Sequence, residues 1–223
     1  AAIYQNNTTI ATTGGGDIRL GSTATEIRGG NLTTTGGGVI RSVANGALLD
    51  GVTITSGSNM VLGNNEDIRF RATTANNVNN GTINVNSLGN LTDVIFDGTQ
   101  TLEGTGEIVM SQNGNNRVIV NANTNVLTLN ANQTIRGAGQ VLANAGGFVN
   151  NGEILQQGAV GLTIDPGSPN VDGNGANFVN NNVLRSEGTG GLTLNAAIYQ
   201  NNTTIATTGG GDIRLGSTAT EIR

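Results

Sequence analysis

Two carboxylate pairs, Asp93 with Asp97 and Glu103 with Glu107, are the residues best typed for acid–base chemistry. Glycoside hydrolysis takes two carboxyl groups about 5 to 10 Å apart across a cleft. A spacing of four on an extended strand puts both side chains on one face, roughly 13 Å apart. Neither pair meets the requirement within one strand, so all four are expected to be solvated surface charge, unless neighbouring segments bring other carboxylates together. With no histidine or lysine in the chain, a base and its electrostatic partner are hard to assemble. A catalytic site is therefore not expected.

Metal chemistry has one candidate. Asn170, Asp172 and Asn174 in NVDGNG match the oxygen donors of the first half of a calcium loop. Where the closing bidentate glutamate belongs the chain has Asn181, and no helices flank the segment. A turn insertion is the plainer reading, with calcium as the cofactor alternative and no other cofactor expected. TTGGGDIR and TTGGGVIR have phosphate-loop glycines but lack the GK[ST] ending and a following helix, so they read as corners.

The elements that would position these residues are short. Glycine supplies 36 of 223 residues, aromatics only 3%, and the formal charge is −5 with scattered arginines. That balance disfavours nucleic acid, which needs clustered positive charge. With no apolar run of 18 residues and no basic amphipathic helix, membrane insertion is not expected either. Segments such as GVTIT at 51–55 and INVN at 83–86 alternate apolar and polar residues, the period of a half-buried strand. Glycine and asparagine clusters separate them.

Periodicity orders the segments. Ile10, Leu32 and Ile54 are 22 apart, as are Ile18, Ile40 and Leu62; Leu184 aligns with Ile205 and Leu192 with Ile213. FVNNGEIL at 148–155 matches FVNNNVL at 178–184, with the surplus placed in an insertion around PGSPNVDGNG at 166–175. The fold class that follows is all-β: a right-handed parallel β-helix, or β-solenoid, with coils of about 22 residues and two or three strands per coil. Asn and Gly fit its corners, where left-handed backbone is needed, and stacked corner asparagines are expected to form ladders. Phe70, Phe96, Phe148 and Phe178 are expected in the core.

A longer repeat overlies the coils. Residues 1–28 recur unchanged as 196–223, which divides the chain into one unit, 1–195, and the start of the next, 196–223. Either the chain is a window on a tandem array, the reading preferred here, or the duplication was introduced into it.

LDGVTITSGSNMVLGNN at 49–65, NNGTINVNS at 79–87, QTLEGTGEIVMS at 100–111 and QTIRGAGQVLANAGGFVNNGEI at 133–154 resemble the repetitive segments of giant bacterial secreted β-strand-repeat proteins, related to filamentous-haemagglutinin and autotransporter-type solenoids. The resemblance implies export to the cell surface and an adhesive or fibre role. The expected function is a non-catalytic extracellular fibre or adhesin shaft. Its expected partners are itself, through end-to-end stacking or lateral packing, and cell-surface glycans. A surface polysaccharide-binding or polysaccharide-cleaving β-helix is the alternative, and a curli-like amyloid subunit the second alternative.

Overall fold

The computed structural model describes residues 2–21, 25–43 and 46–223. Ala1 and residues 22–24 of the first repeated segment, with 44–45, lie outside the described residues. Within them the chain winds through about 9 turns of roughly 23 residues, with no helix. Each turn lays down three strands, one on each of three parallel sheets of ten, ten and nine strands. Sheet 1 runs from Ala2–Gln5 to Ile213–Leu215, sheet 2 from Thr9–Thr12 to Glu221–Ile222, and sheet 3 from Ile18–Leu20 to Thr204–Thr207.

Alternation fixes the interior. On strand Thr82–Val85 the residues Ile83 and Val85 are buried and pair with Ile108 and Met110 one coil on, so like side chains stack above like. The expected pairs Ile10 with Leu32, Leu32 with Ile54, Ile18 with Ile40, Leu184 with Ile205 and Leu192 with Ile213 are all in register. One expected pair is not: Ile40 faces Met60 rather than Leu62. The corner Thr55–Ser58 is one residue shorter than its counterpart Thr35–Val39, and the strand below it ends at Ile54, so the sheet 3 strand arrives two residues early. Corner length and strand length together absorb the variation in coil size. The widest coil carries the insertion expected around 166–175, which here spans 165–177 between strands Leu162–Ile164 and Phe178–Asn180.

All four phenylalanines are buried, as expected, and they stack. Phe70 lies on Phe96 with ring centroids 5.5 Å apart, and Phe148 on Phe178 at 5.2 Å with planes within 6°. Tyr199 continues the second stack at 5.5 Å and donates its hydroxyl hydrogen bond toward the Ile164 and Asn195 carbonyls, each 2.9 Å away. Burial pushes its phenol pKa far above the usual value.

The expected asparagine ladders form beside this stack. Asn150 donates to Asn180 and Asn180 to Asn201, both at 2.8 Å, inside the coil. One residue on and outside it, Asn181 donates to Asn151 at 2.9 Å and Asn202 to Asn181 at 2.7 Å. An aromatic-Xaa-Asn-Asn corner thus repeats three times, in FVNN, FVNN and YQNN, with aromatic on aromatic and Asn on Asn. The TTGGG segments are corners as expected: Gly14 and Gly15, Gly36 and Gly37, and Gly209 and Gly210 all have positive φ.

Candidate functional site

The densest charge sits on the outer face of sheet 1. Strands Asp67–Arg71, Thr92–Asp97 and Asn116–Val120 point Ile68, Phe70, Val94, Phe96, Val118 and Val120 inward. Period-two alternation then forces Asp67, Arg69, Arg71, Asp93, Asp97 and Arg117 outward. Register places Asp67 beside Asp93 and Asp93 beside Arg117. The Arg117 guanidinium donates two hydrogen bonds to Asp93, Nε to Oδ1 at 2.8 Å and Nη2 to Oδ2 at 2.5 Å. This fork is the strong form of an ion pair, and the hydrogen bond to Asp93 raises the Arg117 pKa over the opposing effect of burial. Asp97 takes Arg69 at 3.2 Å and Arg71 at 3.5 Å.

The ladder continues toward the first coil. Arg28 bridges Glu26 at 2.5 Å and Asp50 at 3.5 Å. Asp50 is fully buried, and its carboxylate accepts the Thr73 hydroxyl and the Thr73 backbone N–H, the latter at 2.9 Å. It ties down the corner that follows strand Asp67–Arg71.

Asp93 and Asp97 therefore differ from the solvated surface charges expected of them: both are mostly covered, and each is held by arginine from a neighbouring coil. Glu103 and Glu107 differ also. They lie on separate strands, Gln100–Glu103 of sheet 2 and Glu107–Met110 of sheet 3, with the Gly104–Gly106 corner between them. Glu103 accepts from Asn76 at 2.8 Å. Glu107 accepts from Arg136 Nε at 2.7 Å and Nη2 at 3.2 Å. Those bonds from Arg136 outweigh burial and hold the Glu107 carboxyl below its usual pKa. It is a fixed anion and an acceptor, the opposite of a general acid, which needs a raised pKa.

Asp67 and Asp93 are a carboxylate pair that the spacing rules missed. Burial raises the Asp67 pKa, an N–H bond from Gly46 lowers it, the Asp93 charge raises it and Arg69 lowers it, with a net rise. One buried Asp67 oxygen, Oδ1, has no hydrogen-bond partner. The two carboxylates thus sit side by side in unlike surroundings, Asp93 clamped by Arg117 and Asp67 buried with a raised pKa. The signal was present in DIRF at 67–70 and DVIF at 93–96: aligning the phenylalanines aligns the aspartates. A strict 22-residue frame conceals it.

Two hollows lie away from this ladder. A groove of about 290 Å³ runs along the corner between sheets 2 and 3, floored by Gly57, Gly81 and Gly106 and rimmed by Thr82, Thr105 and Glu107. A second, of about 330 Å³, is the open end of the first coil, lined by Tyr4, Ile10, Ile18, Leu20 and Ile27. The first is polar and the second apolar in character.

The calcium candidates sit together in the 165–177 insertion. Asn170 Oδ1 accepts the Gly175 N–H at 2.8 Å, and Asp172 Oδ1 accepts those of Asn174 at 2.8 Å and Ala176 at 2.9 Å. Arg223 Nη2 stands 3.8 Å from Asp172 Oδ2 and donates to the Asn174 carbonyl at 2.7 Å. Burial acts to raise the Asp172 pKa; the two amides and Arg223 together outweigh it, and the carboxyl lies below its usual value. The loop's own amides and a guanidinium thus engage these oxygens. No group of three or more His, Cys, Asp or Glu arranged for a metal ion occurs among the described residues.

No family model, no curated protein and no solved structure matches this chain.

Proposed function

We propose that the chain is a segment of a non-catalytic extracellular shaft, a fibre or adhesin stalk, whose function is carried by length and stiffness. The observation that carries this reading is the contrast between two copies of one sequence. Tyr4 at the open first coil is 59% exposed, whereas its repeat Tyr199, with a coil stacked beneath it, is 1% exposed and continues an aromatic stack. An apolar coil end with unpaired strand edges is stable only when something covers it. A preceding tandem unit supplies that cover covalently, because the residues leading into 196 would lead equally into residue 1. The resemblance to giant secreted bacterial repeat proteins points the same way, toward the cell surface.

Electron microscopy with fibre diffraction on the assembled protein tests this. A shaft gives a meridional spacing of about 4.8 Å from stacked strands and a longer repeat of about 40 Å per unit. Discrete capped particles without the longer repeat would rule it out.

The groove at Gly57, Gly81 and Gly106 favours a second reading, a glycan-binding shaft. Its stacked glycines leave room over a row of hydroxyl and carboxylate groups. Glycan-array binding that is lost in Glu107→Ala but kept in Glu103→Ala would support it; no binding to any glycan would remove it.

A further inference from the structure

The identical segments do not occupy identical places. Ile3 and Tyr4 belong to sheet 1, in strand Ala2–Gln5, whereas Ile198 and Tyr199 belong to sheet 2, in strand Ile198–Asn201. Thr9–Thr12 is on sheet 2 and its copy Thr204–Thr207 on sheet 3; Ile18–Leu20 is on sheet 3 and its copy Ile213–Leu215 on sheet 1. Every strand of the second copy has moved one sheet onward in chain order.

Local structure is unchanged by the move. Ile3 pairs with Glu26 and Tyr4 with Ile27 in one copy, Ile198 with Glu221 and Tyr199 with Ile222 in the other. The Asn6 N–H donates to the Arg28 carbonyl at 2.8 Å, and the Asn201 N–H to the Arg223 carbonyl at 2.8 Å. The corner after YQ joins sheets 1 and 2 in the first copy and sheets 2 and 3 in the second. One sequence is thus hosted at two different corners of the coil. The cause is arithmetical: Ile198–Asn201 is the twenty-sixth strand of the described chain, so one unit contains twenty-five strands, one more than eight full turns of three.

We infer that tandem units join with a slip of one third of a turn, so that the array is a threefold screw whose faces coincide again only after three units. The inference rests on the tandem-shaft reading. Each unit advances by eight and one-third coils, about 40 Å, and three units by about 120 Å. The 165–177 insertion, the longest corner of the unit, projects between sheets 1 and 2 here. In the next unit it projects between sheets 2 and 3, and in the third between sheets 3 and 1. The shaft therefore has no bare side. It presents one copy of the same loop and the same charge ladder on each of three azimuths, a surface suited to a partner with multiple copies of a receptor that approaches from any direction.

The test is a chain of three units, residues 1–223 followed by two further copies of 29–223, each carrying Ser168→Cys in the exposed insertion and labelled with gold. The natural sequence contains no cysteine, so labelling is site-specific. Cryo-electron microscopy with the strands traced is expected to place successive labels at three different corners of one continuous solenoid, about 40 Å apart along the axis. A continuous solenoid with all labels on the same corner overturns the slip and leaves the shaft standing. Three separate particles joined by linkers overturn the shaft and the slip together.

Discussion

The smallest corner shows how much one residue decides. Ala138 alone links strand Thr134–Gly137 to strand Gly139–Val141, and the flanking glycines have φ of 116° and 135°. A Cβ on Gly137 would overlap the Met110 carbonyl oxygen of the coil beneath. Gly137→Ala therefore meets both a left-handed backbone and a clash. Gly173, in the insertion, has φ of 78° and open space around it, so Gly173→Ala meets the backbone cost alone. Urea unfolding should show Gly137→Ala destabilised by several kcal/mol and Gly173→Ala by about 1 kcal/mol. Asp67 makes a second residue-scale case. Its folded pKa lies above the usual 3.8, so its ionisation opposes folding: stability is fullest below 3.8 and falls as pH rises through the raised value. Asp67→Asn should accordingly raise the melting temperature at pH 7, with the gain shrinking as pH drops through the raised value and gone below 3.8. A gain that persists unchanged at pH 3 would show that Asp67 acts through packing instead.

At the scale of the element, the inner asparagine ladder carries more than the outer one. Asn180 is buried, accepts from Asn150 and donates toward Asn201, Asn182 and Thr204. Asn180→Ala removes four hydrogen bonds made by a buried amide and should cost about 1–3 kcal/mol, whereas Asn181→Ala, an exposed amide, should cost less than about 0.5 kcal/mol. Equal losses in chemical denaturation would mean that the stacked aromatic beside the ladder, not the amides, sets the corner. The ladders and the stacked phenylalanines were legible in the sequence because like residues recur at the same place in each coil, and a repeat needs no knowledge of the third dimension to be seen. The Asp67–Asp93 pair was not, because a coil of 26 residues follows one of 21 and an average period blurs both. Glu103 and Glu107 were misplaced for the related reason that Gly104–Gly106 turns a corner inside what reads as one extended run. Strand alternation is local and survives in sequence; the phase of each coil depends on corner lengths that only the stacked structure adds up.

For the whole molecule, stability is nearly one-dimensional: each coil touches the coil above and the coil below, and two ends remain uncovered however long the array. An uncovered coil end is a cost incurred once per array, while every added unit contributes a full set of buried rows. A two-unit chain, residues 1–223 followed by 29–223, should therefore unfold at higher urea than the single unit, by more than an increase in surface alone explains. Removing 196–223 should do the reverse, since it strips Tyr199 from Phe178 and Asn201 from Asn180. The two measurements separate a shaft from a self-contained domain. If the midpoint rises with length and falls with truncation, the coils are coupled end to end and length is what the fold stabilises. If neither change moves the midpoint, each unit is closed to its neighbours and the exposed Tyr4 coil must be covered in some other way.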